Sequence, residues 1–171
     1  MYDASGATVG SEFQVHTSSG HYPSITALNG GGFVITWYSN VQDGDKNGVS
    51  AQIYDASGAT VGSEFQVNTY TTSYQYAPSI TALNDGGFVI TWESGEQDGD
   101  YGGIYAQMYD ANGTTQGSEF QVNTYTTSGQ QLPSITTLSD GGFVVTWMSF
   151  GQDGDGAGIY AQMYDASGAN N

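Results

Sequence analysis

The chain has no cysteine, no arginine and one lysine, Lys46, set against seventeen aspartate and glutamate residues in 171. Without cysteine there is neither a disulfide framework nor a thiolate metal site, although this leaves the cellular compartment open. The net charge of −16 repels phosphate backbones and anionic lipid, which argues against nucleic acid as a partner and against electrostatic attachment to membranes. Divalent cations are its natural counter-ions. No apolar run approaches the roughly 18 residues of a membrane span, so no insertion is expected, and no segment keeps a helical period. A secretory signal is also missing: Met1 is followed at once by repeat sequence, as expected of an excised or engineered piece.

What the chain has in abundance is glycine (26 residues), tyrosine (13) and short runs rich in Thr and Ser. That composition reads as all-β with many tight turns rather than as disorder. The organising stretch is Asp85 Gly86 Gly87 Phe88 Val89 Ile90 Thr91 Trp92, which recurs from Gly30 to Trp37 and from Asp140 to Trp147. A half-solvated strand alternates apolar and polar residues. This one carries Phe, Ile or Val, and Trp on one face and Val and Thr on the other, so both faces must be covered.

A fixed period governs the whole chain. The turn beginning at Tyr2 returns at Tyr54, Tyr109 and Tyr164, in steps of 52, 55 and 55 residues. Pro23 to Trp37, Pro78 to Trp92 and Pro133 to Trp147 all span 14, and only the segment before each proline varies in length. Each unit reads as four short strands; in the second they are Pro78 to Leu83, Phe88 to Glu93, Ile104 to Tyr109 and Glu119 to Asn123. Polarity rises towards the last strand, the gradient of a β-propeller blade.

The expected fold is therefore an all-β single repeat domain over 1–171, with three four-stranded blades at about 18–68, 69–123 and 124–171. The last unit lacks its fourth strand, whereas the chain opens with a spare one, Glu12 to Thr17. Three blades fall short of the four to eight that close a ring, so the pattern predicts a six-bladed homodimer in which 12–17 completes the last blade of the other copy. The alternative is a closed three-fold monomer, a β-trefoil or β-prism.

The Pro-Ser-Ile opening, the Asp-Gly-Gly turn, the strand ending in Trp and the Asp-x-Ser-Gly turn together resemble the blade of sialidase-type propellers. Gly151 Gln152 Asp153 Gly154 Asp155 Gly156, followed by Tyr160 to Gly168, is similar to tandem repeats of very large secreted bacterial proteins of a calcium-associated, adhesin-like type. These likenesses imply an extracellular parent protein and a spacer or adhesive role. They stop short of the sialidase chemistry, because that resemblance implies an arginine cluster around a substrate carboxylate and this chain has no arginine. The turns at Asp55 Ala56 Ser57 Gly58 and its copies also lack the Trp of the sialidase Asp-box, and read as Asx turns.

Two groups of residues carry candidate chemistry. Asp43, Asp45 and Asn47, with Asp98 and Asp100 and with Asp153 and Asp155, place oxygen ligands two apart on glycine-relaxed loops, a spacing suited to Ca2+. No bidentate Glu follows at the twelfth position, which is Tyr54, so other groups would have to complete the shell. Tyr70, Tyr74, Tyr76 and Tyr125 stand among hydroxyl and amide residues, a setting in which rings stack on sugars in a lectin-like site. His16 and His21 occur in the first unit alone and read as surface residues. For catalysis the pattern offers acids on exposed turns, with no pocket to separate their pKa values. The expectation is a non-enzymatic structural or adhesive module, with a carbohydrate-binding propeller and a designed, symmetrised folding model as alternatives; the partners are a second copy of the chain and a glycan.

Overall fold

The computed structural model describes residues 5–40, 44 and 46–170. Among them are eleven strands: β1 (Gly20–Ala27), β2 (Phe33–Asn40), β3 (Asn47–Tyr54), β4 (Thr60–Gln66), β5 (Gln75–Ala82), β6 (Phe88–Ser94), β7 (Gly103–Tyr109), β8 (Thr115–Gln121), β9 (Gln130–Thr137), β10 (Phe143–Phe150) and β11 (Ala157–Tyr164). They form three separate antiparallel meanders, β1 to β4, β5 to β8, and β9 to β11. Three separate sheets are not the shared barrel of a trefoil. The sheets succeed one another as blades, with β5 packed against β1 on one side and β9 on the other.

The Asp-Gly-Gly turn has a steric origin. Gly31, Gly86 and Gly141 all adopt a left-handed backbone with φ between 91° and 96°, which suits glycine at the tip of a tight hairpin. The following glycine answers to a different constraint. A Cβ on Gly32, Gly87 or Gly142 would overlap the backbone carbonyl of Tyr54, Tyr109 or Tyr164 respectively. Asp85 closes its turn by accepting the Gly87 N–H at 2.9 Å, and Asp140 accepts that of Gly142 at 3.1 Å.

The second strand of the central blade, β6, is buried on both faces, as its composition requires, while β2 and β10 alternate between buried and half-buried positions. Val34, Val49, Ala51 and Ile53 of the first blade meet Ile80, Phe88, Ile90, Trp92 and Tyr109 of the second in one apolar cluster. The junction then repeats one blade on, where Val89, Ile104, Ala106 and Met108 meet Ile135, Phe143, Val145, Trp147 and Tyr164. An aromatic key locks each junction from the outer strand. Phe65 packs on Tyr109 and Phe120 on Tyr164, both with ring centroids 5.4 Å apart.

Two expectations need correction. The fourth strand lies earlier than Glu119 to Asn123: β8 starts at Thr115, because backbone pairing to β7 decides its position. Asn123 has left the ladder, and its side-chain oxygen accepts the Ile104 N–H at 2.6 Å, as Asn68 accepts that of Val49 at 2.8 Å. The first strand begins before its proline, at Gln75 rather than Pro78, with a register shift between Tyr76 and Ser79. Within the single chain the β9 to β11 sheet has three strands, and residues 12–17 form no strand.

The glycine constraint is directly testable. Gly87→Ala forces the Tyr109 carbonyl out of its place in the central blade and should destabilise the chain by about 2–4 kcal/mol, whereas Gly62→Ala, with open space around it but a left-handed φ of 69°, should cost about 1 kcal/mol. Urea denaturation of both variants measures the difference.

Candidate functional site

The first strands of the three blades converge on a common axis, and there the backbone is unusual. Tyr22, Ala77 and Leu132, each immediately before a proline, have φ of 50°, 50° and 55°. A left-handed conformation at a non-glycine residue before proline is disfavoured by about 1–3 kcal/mol. The register shift in each first strand sits at this point. These bulges open a hollow of about 400 Å³ lined by Tyr22, Tyr38, Asn47, Tyr76, Glu93 and Leu132, with Ala77 and Gln131.

Three aromatic rings define one wall of the hollow. Tyr22 and Tyr38 stack with centroids 5.8 Å apart, and Tyr38 meets Tyr76 at 6.2 Å with a tilt of 59°. Behind Tyr76 stands Tyr74, at 6.3 Å, and the Lys46 ammonium lies 4.3 Å from the Tyr74 ring centre.

Glu93 is the acid of this wall, and it is buried, with 2% of its surface exposed. It lies on β6 directly opposite Tyr76 of β5 and Ile104 of β7. Burial pushes its carboxyl up to about 7, although hydrogen bonds from the Tyr76 hydroxyl and the Leu132 N–H pull in the other direction. The Leu132 bond, at 3.4 Å, is long. Tyr76 is itself pushed up to about 12, by burial first and then by the charge of Glu93. The same strand position holds Tyr38 in the first blade and Met148 in the third, so the acid is a departure from the repeat.

The residues singled out from the sequence are scattered. Tyr76 lines the hollow and Tyr74 backs it, whereas Tyr70 lies towards Tyr105 and Tyr125 towards Tyr160 and the Gly151 carbonyl. Of the Asp-Gly-Asp loops, Asp43 and Asp45 fall outside the described residues, while Asn47 lies in the hollow. Asp98 accepts the Asp100 N–H at 3.3 Å, Asp100 accepts the Ser128 N–H of the next blade at 2.7 Å, and Asp153 accepts the Asp155 N–H at 3.2 Å. These carboxylates serve turns and one blade junction, and among the described residues no three acidic or histidine side chains converge as a metal site would need. Asp55, Asp110 and Asp165 cap their turns; hydrogen bonds from Ser57, Thr114 and Ser167 lead in holding them below the ordinary carboxylate value. His16 is half-buried rather than superficial, bonded through Nδ1 to Glu64 at 3.0 Å and packed on Trp37.

With this geometry in place, likeness to solved structures decides the fold. The chain resembles an alpha-L-arabinofuranosidase from Lactobacillus brevis, with a TM-score of 0.62 at 9% identity over all of this chain and 68% of that one. It also resembles a Hadza microbial sialidase, with a TM-score of 0.63 at 10% identity over 88% of this chain and 36% of that one. An endo-arabinase from Bacteroides thetaiotaomicron matches with a TM-score of 0.54 at 19% identity, over 85% of this chain and 56% of that one. The fold is of the β-propeller kind. The chain spans about half the length of the endo-arabinase and about a third of the sialidase. No protein-family model and no curated protein sequence matches it.

These likenesses overturn the expectation that the chain is not an enzyme. Most of the structures it resembles are glycoside hydrolases, at 9–19% identity. Acids on the open turns have no pocket, whereas Glu93, an acid outside the repeat, does.

The Glu93 carboxyl makes stability depend on pH with a definite sign. It sits near 4.5 when unfolded and near 7 when folded, so between these values the folded chain holds a proton that the unfolded chain has released. This contribution is fully present below pH 4.5 and is lost as pH rises to about 7, by at most about 3 kcal/mol. Glu93→Gln should remove that fall, read from urea midpoints measured at intervals across the window.

Proposed function

We propose that this chain is a carbohydrate-binding β-propeller module that takes its ligand in the axial hollow. The observation that carries the reading is the conjunction of three tyrosine rings with a buried acid and the amide side chains of Asn47 and Gln131, in a space sized for one or two sugar rings. Sugars present apolar C–H faces to aromatic rings and hydroxyls to such groups. Support also comes from the arabinofuranosidase, endo-arabinase and sialidase, whose names refer to sugars. Calorimetry with sialyl and arabino-oligosaccharides is the test: saturable binding is expected, with about a tenfold loss in Tyr38→Leu. No binding of any glycan on an array would overturn the reading.

A second reading is favoured by one observation, the Glu93 carboxyl held near 7, where a general acid is half protonated at neutral pH. Glycoside hydrolysis requires a second carboxyl. Among the described residues that line the hollow, Glu93 is the one acid, and release of reducing ends, lost in Glu93→Gln, separates turnover from binding.

The assembly belongs to the same proposal: two copies close a six-bladed ring. Ile159 and Met163 on β11 are 77% and 47% exposed, whereas Ile104 and Met108, their counterparts inside a blade junction, are 0% and 7% exposed. At the opposite end Ile25 is 62% exposed against 6% for Ile80, beside an apolar hollow of about 460 Å³ that includes Val15, Ile35 and Trp37. One face is the knob and the other the socket of a junction already made twice within the chain. The leading segment is keyed in the same manner, with Phe13 packed on Tyr54 at 5.5 Å. By the register of β7 and β8, Ala106 to Phe120 and Met108 to Gln116, the incoming strand would set Phe13 against Ala161 and Val9 against Met163 of the other copy. It therefore centres on residues 9–14 rather than 12–17. Multi-angle light scattering should give twice the 18.0 kDa chain mass, and Ile159→Asp should halve it; a folded wild-type monomer at micromolar concentration overturns the ring.

A further inference from the structure

The axial hollow combines features that a neutral sugar does not need. Its aromatic wall consists of Tyr22, Tyr38 and Tyr76 with Tyr74 behind, arranged partly stacked and partly tilted, so that ring faces are presented in more than one direction. Ring faces carry negative quadrupole density and attract ammonium groups within about 6 Å. The cluster already does so. Lys46, the one lysine of a chain without arginine, places its ammonium 4.3 Å from the Tyr74 ring centre at the edge of this wall.

Beside the rings stands a carboxyl with no cation of its own. Glu93 receives the Tyr76 hydroxyl and the Leu132 N–H, and among the described residues the one ion pair, His16 with Glu64, is elsewhere. A buried carboxylate without a counter-charge is costly and holds a proton instead, as the upward displacement of this one shows. A ligand that brings its own positive charge would restore the ionised form. The surface adds to this, since a net charge of −16 draws cations towards the molecule.

We infer that the axial hollow selects a sugar bearing a protonated amine, a hexosamine unit, with the ammonium held between the Tyr38 and Tyr76 rings and the Glu93 carboxylate. The inference rests on the carbohydrate reading above and names its substrate class. No bond is made or broken. Asn47 and Gln131, the amides of the lining, are left for the ring hydroxyls, and the apolar face of the sugar has Tyr22.

The test compares two probes that differ at the amine alone: the β-1,4-linked glucosamine trisaccharide and its fully N-acetylated counterpart, titrated calorimetrically into the 171-residue chain at pH 6.5 and moderate salt. The free-amine trisaccharide is expected to bind at least about tenfold more tightly. Glu93→Gln should reduce that preference to about threefold or less, while Tyr38→Leu should weaken both probes. Circular dichroism at pH 6.5 establishes that each variant is folded, and Glu93→Asp serves if the glutamine variant is not. Equal affinity for the two probes overturns the amine preference and leaves the carbohydrate reading standing. A preference that survives intact in Glu93→Gln assigns it to general surface charge and also overturns the inference. If neither these probes nor any glycan on the array binds, the carbohydrate reading fails and the inference with it.

Discussion

Each blade carries apolar side chains on both faces, and that requirement determines almost everything else about the molecule. Val89, Ile104, Ala106 and Met108 point to the following blade while Phe88, Ile90 and Trp92 point to the preceding one, so a blade alone would leave two apolar surfaces wet. At about 25 cal/mol per Å², such surfaces are too costly to leave open on every unit. Repetition solves this locally, since each face is made to fit the next copy of its opposite. It also exports the difficulty to the two ends of the series, where Ile25 and Ile159 meet solvent.

Much of this was legible in the residues. The period, the Asp-Gly-Gly hairpins and the two-sided second strand could be read because steric and hydrophobic constraints recur three times, and chance does not reproduce them. The outermost strand was harder. From Thr115 to Gln121 its residues are mostly polar and the first four are exposed, so side-chain pattern says little about pairing, and Phe120, one residue before the strand ends, reaches over to Tyr164. The proline was misleading in another way. It suits the first residue of a strand, yet each first strand begins upstream and tolerates the proline by bulging.

Glu93 shows what repeat-based reading overlooks. The Asp-Gly-Asp loops recur, and among their described acids Asp98, Asp100 and Asp153 accept backbone amides. A site distinguishes itself by breaking the repeat. The available signal was an acid at the end of an apolar strand where the sister units carry Tyr38 and Met148, and physical chemistry marks such a residue as expensive unless something requires it.

The bulge at the axis separates shared backbone from variable side chain. Tyr22, Ala77 and Leu132 share one backbone shape while their side chains differ in size, aromaticity and reach. Main-chain geometry there is held by strand register against the preference of the adjoining proline, so the side chain is released from any duty in the core. The lip of the hollow thus behaves as a rack of interchangeable tools: shuffling or duplicating units would redraw the lining of the hollow while every buried seam between units stayed as it was.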